Sequence, residues 1–505
     1  MTRDPVPESG PVAVIDIGSN SGRVVVYRRD EAGMLRILST TRASLRLVSD
    51  VDSGKTLGPE AVDRALDALR DFDTVARGAG ATRVLAVATA AMRDAANGPQ
   101  LIATVRQELG IEIEVVDGAR EARLGLRGGI SGLPVESGLF FDVGGGSMQV
   151  TRFHARRLLE AWSFPLGSLR LSGAFLKSDP PTRGEIRALR DHVKETLAAI
   201  GPQLLGAGEI LVGTGGTVRN LAKIDRRKRD YPITRVHGYA LERPRLADIV
   251  DELASRKVKR RDEVAGLSGE RGDSIVGGGL AIDVLASAIG APDVLVSGQG
   301  VREGLVLSLF ESEAPSVDVV RESSLRSLVA RFAGWDGRTA AERVHVAGVL
   351  GNAVGVRSDR EVGAALARAA RIMDIGRSVD FFDRQEHAAR IVLATELFGF
   401  SHREIALTAA VVAAAGDEDE VGKALAPLVH KEDRAQVESA GVILALADDI
   451  VERCPPDAPV RVDAGKAADG LVVTVPALRH WRTRKIGARF ARVFGMPLVV
   501  RVSAP

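Results

Sequence analysis

The chain contains little cysteine, few aromatic side chains and no long hydrophobic run. Its single cysteine, Cys454, excludes an intramolecular disulfide and a cysteine-based metal cluster, which favours a reducing cytoplasm. Only 4% of the residues are aromatic, so we expect cores built mainly from Val, Leu, Ile and Ala. The longest apolar candidate, 405–416, is shorter than the ~18 residues that a membrane-spanning helix needs. Because residues 1–10 also lack the apolar core of a signal peptide, we predict a cytoplasmic protein without a transmembrane segment.

A strong charge imbalance is missing as well. The formal net charge of +2 argues by itself neither for nor against the binding of a polyanion. A hydrophobic content of 45% and a charged content of 27% are those of an ordinary globular protein. Because 505 residues are too many for one hydrophobic core, we expect about two to four domains.

The sequence does contain a glycine-rich turn behind an apolar run, LFFDVGGGSMQV at residues 139–150. Glycines let the backbone come close to a ligand, and successive N–H groups in such a turn attract anions. An aspartate at the end of the strand can hold Mg²⁺ against the same phosphates. This stretch predicts a phosphate loop with its own metal-binding carboxylate, the alternative being a glycine-rich hairpin without a ligand.

The same pattern occurs a second time near the N-terminus, as VIDIGSNSGRV at residues 14–24. When the two stretches are aligned on Asp16 and Asp142, the serines Ser21 and Ser147 also fall in register. An internal repeat indicates a repeated architecture. We therefore predict two related halves that hold a nucleotide or a phosphate in the cleft between them.

The order of the secondary-structure signals divides the chain into four parts. Strand-like and helix-like segments alternate as far as about residue 312, which predicts a mixed α/β fold. A Glu, Ser and Pro-rich stretch at 311–324 reads as a linker, the sequence is then helical as far as about residue 446, and β-like runs such as 460–462 follow. The predicted domains are 1–134, 135–312, 313–450 and 451–505.

The glycine turns at 16–21, 142–147 and 213–217 resemble the three phosphate signatures of the exopolyphosphatase / guanosine pentaphosphate phosphatase family. That family belongs to the actin-like ATPase superfamily. Further matches follow in the order of the family, over roughly residues 12–310, at 88–97, 121–124, 165–167, 271–273 and 297–304. The resemblance implies two actin-like, ribonuclease H-like lobes with an interlobe cleft. A mostly helical HD-like domain and a small α+β region are expected to follow them.

Members of this family remove terminal phosphate from inorganic polyphosphate, or the 5′ γ-phosphate of pppGpp, with Mg²⁺ and an attacking water. Such chemistry needs positioning, neutralisation of the developing charge and a group that orients the water. The resemblance therefore implies an exopolyphosphatase that uses Mg²⁺, with a monovalent cation as an additional option, and polyphosphate or pppGpp as substrate. It also implies a homodimer, and nucleic acid is not expected as a partner.

The resemblance also assigns roles to individual residues. Glu121 matches the catalytic base, while Asp142 matches the residue that organises metal and water, with Asp16 as its partner at the metal. Gln149 is the third residue of the catalytic group, and it stands where relatives commonly carry a second glutamate. The predicted phosphate-binding residues are Gly18, Ser19, Asn20, Ser21, Arg93, Gly144, Gly145, Gly146, Ser147, Gly213, Gly215, Gly216 and Thr217.

Two departures from the family leave alternatives open. An amide such as that of Gln149 can orient a water but cannot accept its proton at neutral pH. The chain is then either an enzyme that relies on Glu121, or a sensor that binds polyphosphate or (p)ppGpp without turnover. In the segment 370–376, Met373 replaces the histidine of an HD pair, so we expect the HD-like fold without a second active site. The nearby His387 is expected to be structural.

Clusters of basic residues offer a path for a polyanion. They occur at 226–229, at 256–261 and along 479–492. Such clusters concentrate anionic substrates, whereas the alternative for any one of them is a solvated helix face. We predict a polyphosphate path along them.

Overall fold

The computed structural model describes residues 10–47, 51, 54–201, 204–311, 313–416, 420–455, 459–468, 470–478, 481 and 483–501. The chain divides into two compact units. The N-terminal unit comprises Met1–Asp230 and Arg235–Ser323, and the C-terminal unit comprises Tyr231–Thr234 and Ser324–Pro505. The four predicted domains stay predictions. The expectation for residues 1–9, and those for Arg479 and Arg482 in the basic tail, lie outside the described residues.

The first sheet of the N-terminal unit has the strand order β3-β2-β1-β4-β5. Its strands are β1 (Val12–Ile17), β2 (Ser21–Arg29), β3 (Leu35–Ser44), β4 (Arg83–Ala88) and β5 (Ile113–Val115). Strands β1 and β2 form an antiparallel hairpin, and β4 lies parallel to β1 on its other side. Because the apolar strand β1 is central, it is buried almost throughout. We call the part of the unit around this sheet lobe I.

The second sheet has the order β10-β11-β9-β6-β7-β8, and we call the part around it lobe II. Its strands are β6 (Gly138–Val143), β7 (Met148–His154), β8 (Arg157–Phe164), β9 (Ile210–Thr214), β10 (Tyr239–Glu242) and β11 (Asp293–Val296). The order β8-β7-β6-β9 repeats β3-β2-β1-β4, with the same antiparallel and parallel pairings. Within the hairpins, Asp16 lies opposite Arg23 and Asp142 opposite Gln149. The predicted internal repeat is therefore confirmed.

Helices cover the sheets of both lobes. They are α1 (Pro59–Gly78), α2 (Ala90–Asp94), α3 (Gly98–Leu109), α4 (Gly118–Ser131), α5 (Ser168–Phe175), α6 (Arg183–Leu197), α7 (Gly216–Lys228), α8 (Arg243–Ser255), α9 (Val258–Arg261), α10 (Ile275–Ala288) and α11 (Val301–Phe310). In α1 the residues Leu66, Leu69 and Phe72 recur at helical spacing and are buried against the first sheet. Pro59 opens this helix, where its missing N–H leaves no bond unmade.

Helices α4 and α11 contact each other through their backbones. A Cβ atom added to Gly128 would lie 1.9 Å from the carbonyl oxygen of Gly300, and one added to Gly304 would lie 2.0 Å from that of Leu124. Since no other residue fits at these two positions, glycine sets the distance between the helices. Helix α4 carries Glu121 and helix α11 carries Arg302, so this contact helps to place both side chains.

The C-terminal unit is mainly helical, as predicted for 325–446. The helices that follow α11 are α12 (Val317–Val329), α13 (Gly337–Val354), α14 (Arg360–Ile372), α15 (Arg384–Ala394), α16 (His402–Ala415), α17 (Glu420–Ala424), α18 (Arg434–Val451) and α19 (Arg484–Phe494). A three-stranded sheet consists of β12 (Asp463–Ala467), β13 (Gly470–Thr474) and β14 (Leu498–Arg501). The predicted strand at 460–462 is wrong, because the first strand begins only at Asp463. Within the described part of the chain, no helix is long and apolar enough to cross a membrane.

Candidate active site

The two aspartate hairpins close in the same way. The amide of Gly18 donates to the carbonyl oxygen of Ser21 at 3.2 Å, and the amide of Gly144 donates to that of Ser147 at 2.9 Å. Each turn therefore follows directly on the aspartate near the end of its strand. The sequence repeat is thus also a repeat of backbone hydrogen bonding at the candidate phosphate loops.

The third glycine turn connects β9 to α7 and runs beside Asp142. Gly215 has φ +100°, in the left-handed region that favours glycine. A Cβ atom at this position would lie 2.5 Å from the carbonyl oxygen of Val143 and 2.9 Å from Oδ1 of Asp142. The close approach of the loop to the carboxylate therefore requires glycine.

The matched segment 165–167 supports the second loop from behind. Ser168 N donates to the carbonyl oxygen of Gly144 at 2.9 Å, and Leu169 N donates to that of Gly145 at 3.0 Å. A Cβ atom on Gly167 would lie 2.3 Å from the carbonyl oxygen of Gly145. These contacts hold the loop in place and satisfy the carbonyl groups of Gly144 and Gly145.

The three turns line one cavity of about 380 Å³ in the N-terminal unit. The predicted site residues that line it are Asp16, Gly18, Ser19, Asn20, Ser21, Glu121, Asp142, Gly144, Gly145, Ser147, Gln149, Gly215 and Gly216. They come from both lobes, which places the cavity in the expected cleft. The predicted residues that are not part of the lining are Arg93, Gly146, Gly213 and Thr217.

Three of these four residues lie in surroundings other than the cavity lining. Gly213 belongs to strand β9, where a Cβ atom would lie 2.4 Å from the ring of Phe141. Thr217 is fully buried and faces Gly278. Arg93 donates to the carbonyl oxygen of Val116 at 2.9 Å and lies beside the candidate base. Their assignment as phosphate-binding residues stays a prediction.

Glu121 is a buried carboxylate in the first turn of α4. Only 9% of the residue is exposed, and its Oε2 atom lies 3.7 Å from Nη1 of Arg93. Burial and the charge of Asp142 raise the pKa of Glu121 to about 8, against the opposing charge of Arg93. A carboxyl group with this pKa exchanges protons near neutral pH, which suits a general base.

Burial outweighs the counter-charge that lies beside the two aspartates of the hairpins. Burial raises the pKa of Asp142 to about 6, with Asp16 adding to the rise and Arg219 opposing it. Burial also raises the pKa of Asp16, against Arg302, whose Nη1 lies 3.4 Å from Oδ2 of Asp16. An external cation between the aspartates would therefore stabilise their charged forms.

Cationic side chains that the sequence analysis did not assign dominate the rest of the lining. They are Arg23, Arg42, Arg219, Lys223, Arg271 and Arg302. Against the three carboxylates of Asp16, Glu121 and Asp142, these six give the lining a formal charge of 6 − 3 = +3. Arg271 and Arg302 stand within matched segments, and Arg23 occupies the hairpin position equivalent to Gln149. The sequence repeat could have identified Arg23 as a lining residue, because it aligns Arg23 with Gln149.

Arg219 and Arg302 are held by buried neighbours. Arg219 donates from Nη2 to Thr214 Oγ1 at 2.7 Å and from Nε to the carbonyl oxygen of Ser297 at 3.0 Å. Glu303, next to Arg302, accepts from the hydroxyl of Tyr27 at 2.5 Å. Burial disfavours the charge of Arg302, but Glu303 and Asp16 outweigh it and raise its pKa. Burial and the charge of Arg302 lower the pKa of Arg219, but an arginine side chain keeps its proton in proteins, so both guanidinium groups are charged beside the aspartates.

Gln149 is in contact with the second glycine turn. Its residue is only 2% exposed, and Nε2 donates to Ser147 Oγ at 2.9 Å. The side chain lies across the hairpin from Asp142 and lines the cavity. The amide is therefore available both to the loop and to a bound ligand.

The predicted basic path along 226–229 and 256–261 does not line the cavity. Lys228 and Arg256 both pair with Glu252, and Arg229 pairs with Glu242 at 3.4 Å. These charges are partly neutralised on the surface, so the structure favours the solvated-face alternative. The cations that do face the cavity are single residues from separate segments.

A magnesium ion fits the donor set of the cavity. Among the described residues, no group of three or more His, Cys, Asp or Glu side chains could hold a metal by itself. Mg²⁺ is usually bound by one or two carboxylates, together with waters and substrate phosphates. Asp16 and Asp142, with their raised pKa values, meet this requirement.

The C-terminal unit holds its own acidic pair at the place of the expected HD site. Arg343 is fully buried, with Nη2 2.6 Å from Asp374 Oδ2 and Nε 2.8 Å from Asp448 Oδ1. Arg384 pairs with Asp448 as well. Met373 is buried in the hydrophobic core. Guanidinium groups therefore fill the space between these carboxylates.

Comparison with known proteins identifies the family. The profile of the Ppx/GppA phosphatase family matches residues 25–313, more than half of the chain. Exopolyphosphatase 1 of Mycobacterium tuberculosis is 30% identical over 337 residues, which cover 66% of this chain and 98% of the relative. Exopolyphosphatase 2 of the same organism is 30% identical over 313 residues, which cover 59% of this chain and 98% of the relative. The chain belongs to the Ppx/GppA phosphatase family.

Solved structures agree with this assignment. The crystal structure of the Aquifex aeolicus member of the Ppx/GppA family is 25% identical, with a TM-score of 0.53, and the match covers 59% of this chain and 97% of that one. An exopolyphosphatase from Cytophaga hutchinsonii shares the fold at 24% identity and a TM-score of 0.55, with the same coverage. The mixed α/β fold is thus that of Ppx/GppA structures. The family match ends at residue 313, before most of the C-terminal unit.

Proposed function

We propose that the protein is an exopolyphosphatase that hydrolyses the terminal phosphate of inorganic polyphosphate. The observation that carries the proposal is the cavity itself. It unites three carboxylates, three glycine turns and a lining with a formal charge of +3. A multiply charged anion can bind there, with its terminal phosphate beside the carboxylates. The names of the curated relatives support the same activity.

Glu121 is the proposed base. Its carboxylate is buried in the wall of the cavity, and its Oε2 atom has no hydrogen-bond partner in the described structure. An oxygen in this state can accept a hydrogen bond from the attacking water and then its proton. Because Arg93 lies 3.7 Å away, a positive charge remains to orient the carboxylate.

Asp16 and Asp142 would hold the proposed Mg²⁺ together with oxygens of the substrate. When bound, the ion supplies neutralisation of charge on the transferred phosphoryl group. The backbone amides of the turns provide further donors to phosphate oxygens. Arg219 and Arg302 add fixed positive charge beside the aspartates.

Gln149 is compatible with activity in this arrangement. Its amide anchors Ser147 in the second loop and cannot replace a carboxylate as proton acceptor. Glutamine can still orient an attacking water, as it does in GTPases. Proton transfer therefore depends on Glu121, and a sensor that binds polyphosphate without turnover is the contrasting candidate.

The lining favours a linear polyphosphate over pppGpp. Among the described residues that line the cavity there is no Phe, Tyr, Trp or His side chain. Proteins that hold an unpaired base commonly stack it on an aromatic ring. The second candidate substrate, pppGpp, would have to place its guanine elsewhere.

The test is phosphate release from long-chain polyphosphate in the presence of Mg²⁺. We expect Glu121→Gln to lower kcat by about 10²–10⁴-fold, since it removes the base. Glu112→Gln serves as the matched control, because that glutamate is 70% exposed and forms a surface ion pair. Gln149→Glu in parallel tests whether a second carboxylate increases the rate.

Three outcomes decide between the candidates. If the wild type releases phosphate no faster than Glu121→Gln, the protein does not hydrolyse polyphosphate. Tight binding of polyphosphate without turnover over hours then establishes the sensor. Faster release from pppGpp than from polyphosphate, at equal concentrations of chain ends, establishes the second substrate. Faster release from polyphosphate supports the proposal.

A further inference from the structure

The segment 268–273 of lobe II reaches the cavity from the side that faces lobe I. Ser268 and Arg271 line the cavity. Arg271 lies directly against the third glycine turn, since a Cβ atom on Gly216 would be 2.1 Å from its Nη2 atom. The guanidinium group is thus in place to contact a phosphate bound at that turn.

Backbone contacts fix this segment to lobe II. Asn220 Oδ1, on helix α7, accepts from Ser268 N at 2.9 Å. Arg261 donates from Nη1 to the carbonyl oxygen of Gly272 at 2.7 Å. The segment therefore moves with lobe II.

Two ion pairs connect the same segment to lobe I. Glu270 Oε2 lies 2.8 Å from Nη2 of Arg42, and Asp273 Oδ2 lies 3.0 Å from Nη2 of Arg46. Arg42 stands on β3 and itself lines the cavity. Arg46 follows that strand, and its amide donates to the carbonyl oxygen of Asn20 in the first phosphate loop at 2.9 Å. The two ion pairs thus connect the segment 268–273 of lobe II to lobe I, and the second of them ends at Arg46, whose amide supports the first phosphate loop.

Without these carboxylates the two lobes would present like charges to each other. Arg42 from lobe I and Arg271 from lobe II both face the cavity. Burial lowers the pKa of Arg271 to about 10, and the nearby charges of Arg42 and Arg219 add to that shift. Repulsion of this kind favours separation of the lobes unless acidic side chains offset it.

We propose that Glu270 and Asp273 are positioning residues. They hold lobe I against lobe II so that Arg42 and Arg271 contact the phosphates of one substrate molecule. Neither carboxylate touches the substrate. The proposal rests on the proposed function, because it requires a phosphate chain in the cavity.

For one variant, the positioning role predicts a change in KM opposite to the change expected from charge alone. Asp273→Asn removes a negative charge near an anion site, which by charge alone tightens polyphosphate binding. Arg46→Gln removes a positive charge, which by charge alone weakens it. If the pair positions the lobes, both variants raise KM to the same extent and leave kcat unchanged. Because the pair is partly exposed, we expect an increase of about two- to five-fold.

The experiment measures KM and kcat for polyphosphate at one fixed ionic strength. It compares wild type, Asp273→Asn, Arg46→Gln and the exchanged pair Arg46→Asp/Asp273→Arg, in which we expect KM to return to near the wild-type value. Arg46 has φ +52°, a conformation that aspartate also adopts. Glu108→Gln is the control, since it removes a surface ion pair with Arg70 inside lobe I and should leave KM unchanged.

Binding of inorganic tripolyphosphate, measured by calorimetry without turnover, separates this proposal from the proposed function. If wild type binds tripolyphosphate and Asp273→Asn binds it more weakly, the positioning role is supported. If Asp273→Asn binds it equally well or more tightly, the positioning role is wrong and the proposed function stands. If wild type does not bind it, both are wrong. Failure of the exchanged pair to recover KM would also overturn the positioning role.

Discussion

Two groups of acidic side chains that are partly or fully buried have different surroundings in this protein. In the N-terminal unit, Asp16, Glu121 and Asp142 line an open cavity, and their pKa values are raised chiefly by burial. In the C-terminal unit, Asp374 and Asp448 lie within 3 Å of a fully buried arginine, Arg343, at 2.6 and 2.8 Å. In the first group burial outweighs the neighbouring guanidinium groups, since Arg302 lies 3.4 Å from Asp16 and Arg93 lies 3.7 Å from Glu121, whereas the second group is in direct contact with arginine.

The difference separates a candidate catalytic site from a structural one. A carboxylate whose pKa stays raised despite nearby cations reduces stability at neutral pH and is available to an external cation or to a water. A buried carboxylate that is paired with a guanidinium group is held in one geometry and has no room for a metal. The presence of aspartates alone therefore does not distinguish the two functions.

The largest expected effect is on the C-terminal unit. Arg343→Met leaves Asp374 and Asp448 with less counter-charge in the core, and we expect the free energy of unfolding of this unit to fall by about 3–5 kcal/mol. Calorimetry or urea denaturation of the full chain measures it. Arg390→Met is the control, because the Arg390 side chain is 58% exposed in a surface ion pair and its removal should change the free energy of unfolding little. A loss below that of the control would show that the cluster is not structural.

The second effect concerns the ionisation of Glu121. Activity requires the charged form, so phosphate release should fall about tenfold for each pH unit below the pKa of about 8 and level off above it. Because Arg93 lowers this pKa, Arg93→Met should move the midpoint to higher pH. A pH–rate profile from 6 to 9.5 measures both changes.

Two variants test whether the midpoint belongs to Glu121. Arg83→Met is the matched control, since Arg83 is exposed at the start of β4 and should leave the midpoint in place. A residual activity of Glu121→Gln with an unchanged rising limb would assign the midpoint to another group.

The smallest effect is an increase in stability when a carboxylate of the cavity is removed. In the folded protein the pKa of Asp142 is about 6, above its ordinary value of 3.8. Ionisation of Asp142 therefore opposes folding increasingly between these two pH values, and to the full extent above the higher one. Asp142→Asn should therefore stabilise the N-terminal unit by on the order of 1 kcal/mol at pH 7 without metal. The gain should be complete above about pH 6 and absent below about pH 4.

Denaturation at these two pH values, without metal, measures that gain. Asp67→Asn is the control, because Asp67 is 75% exposed and its removal should change stability little. A destabilised Asp142→Asn protein would mean that Asp142 is structural, in the same sense as Asp374, and would remove the contrast between the two units.

Local sequence patterns were sufficient to place the glycine turns. A strand that ends in aspartate and a glycine turn form within a few residues, so Asp16, Asp142 and Gly215 could be placed from the sequence. The repeat also indicated the common order of the two sheets. The predicted strand at 460–462 was wrong because β propensity is a weak signal without knowledge of the neighbours. The basic clusters at 226–229 and 256–261 do not line the cavity, and a polyphosphate path along the clusters stays a prediction.

The remaining cations of the cavity could not be assigned in this way. Arg42, Lys223, Arg271 and Arg302 belong to four separate segments, and long-range packing brings them together. The side chain of Thr217 is buried, which its position in a glycine turn did not indicate, and its assignment as a phosphate-binding residue stays a prediction.

The sequence by itself determined the family, the three glycine turns and the aspartates that precede two of them. These features rest on local backbone geometry, which a short run of residues dictates. The tertiary structure decided which charges meet. It left the cavity carboxylates with cations that do not outweigh burial, and it placed Arg343 in direct contact with the C-terminal aspartates. Burial and pairing depend on residues far apart in the chain, and they alone distinguish a carboxylate that can act on a phosphate from one that holds a core together.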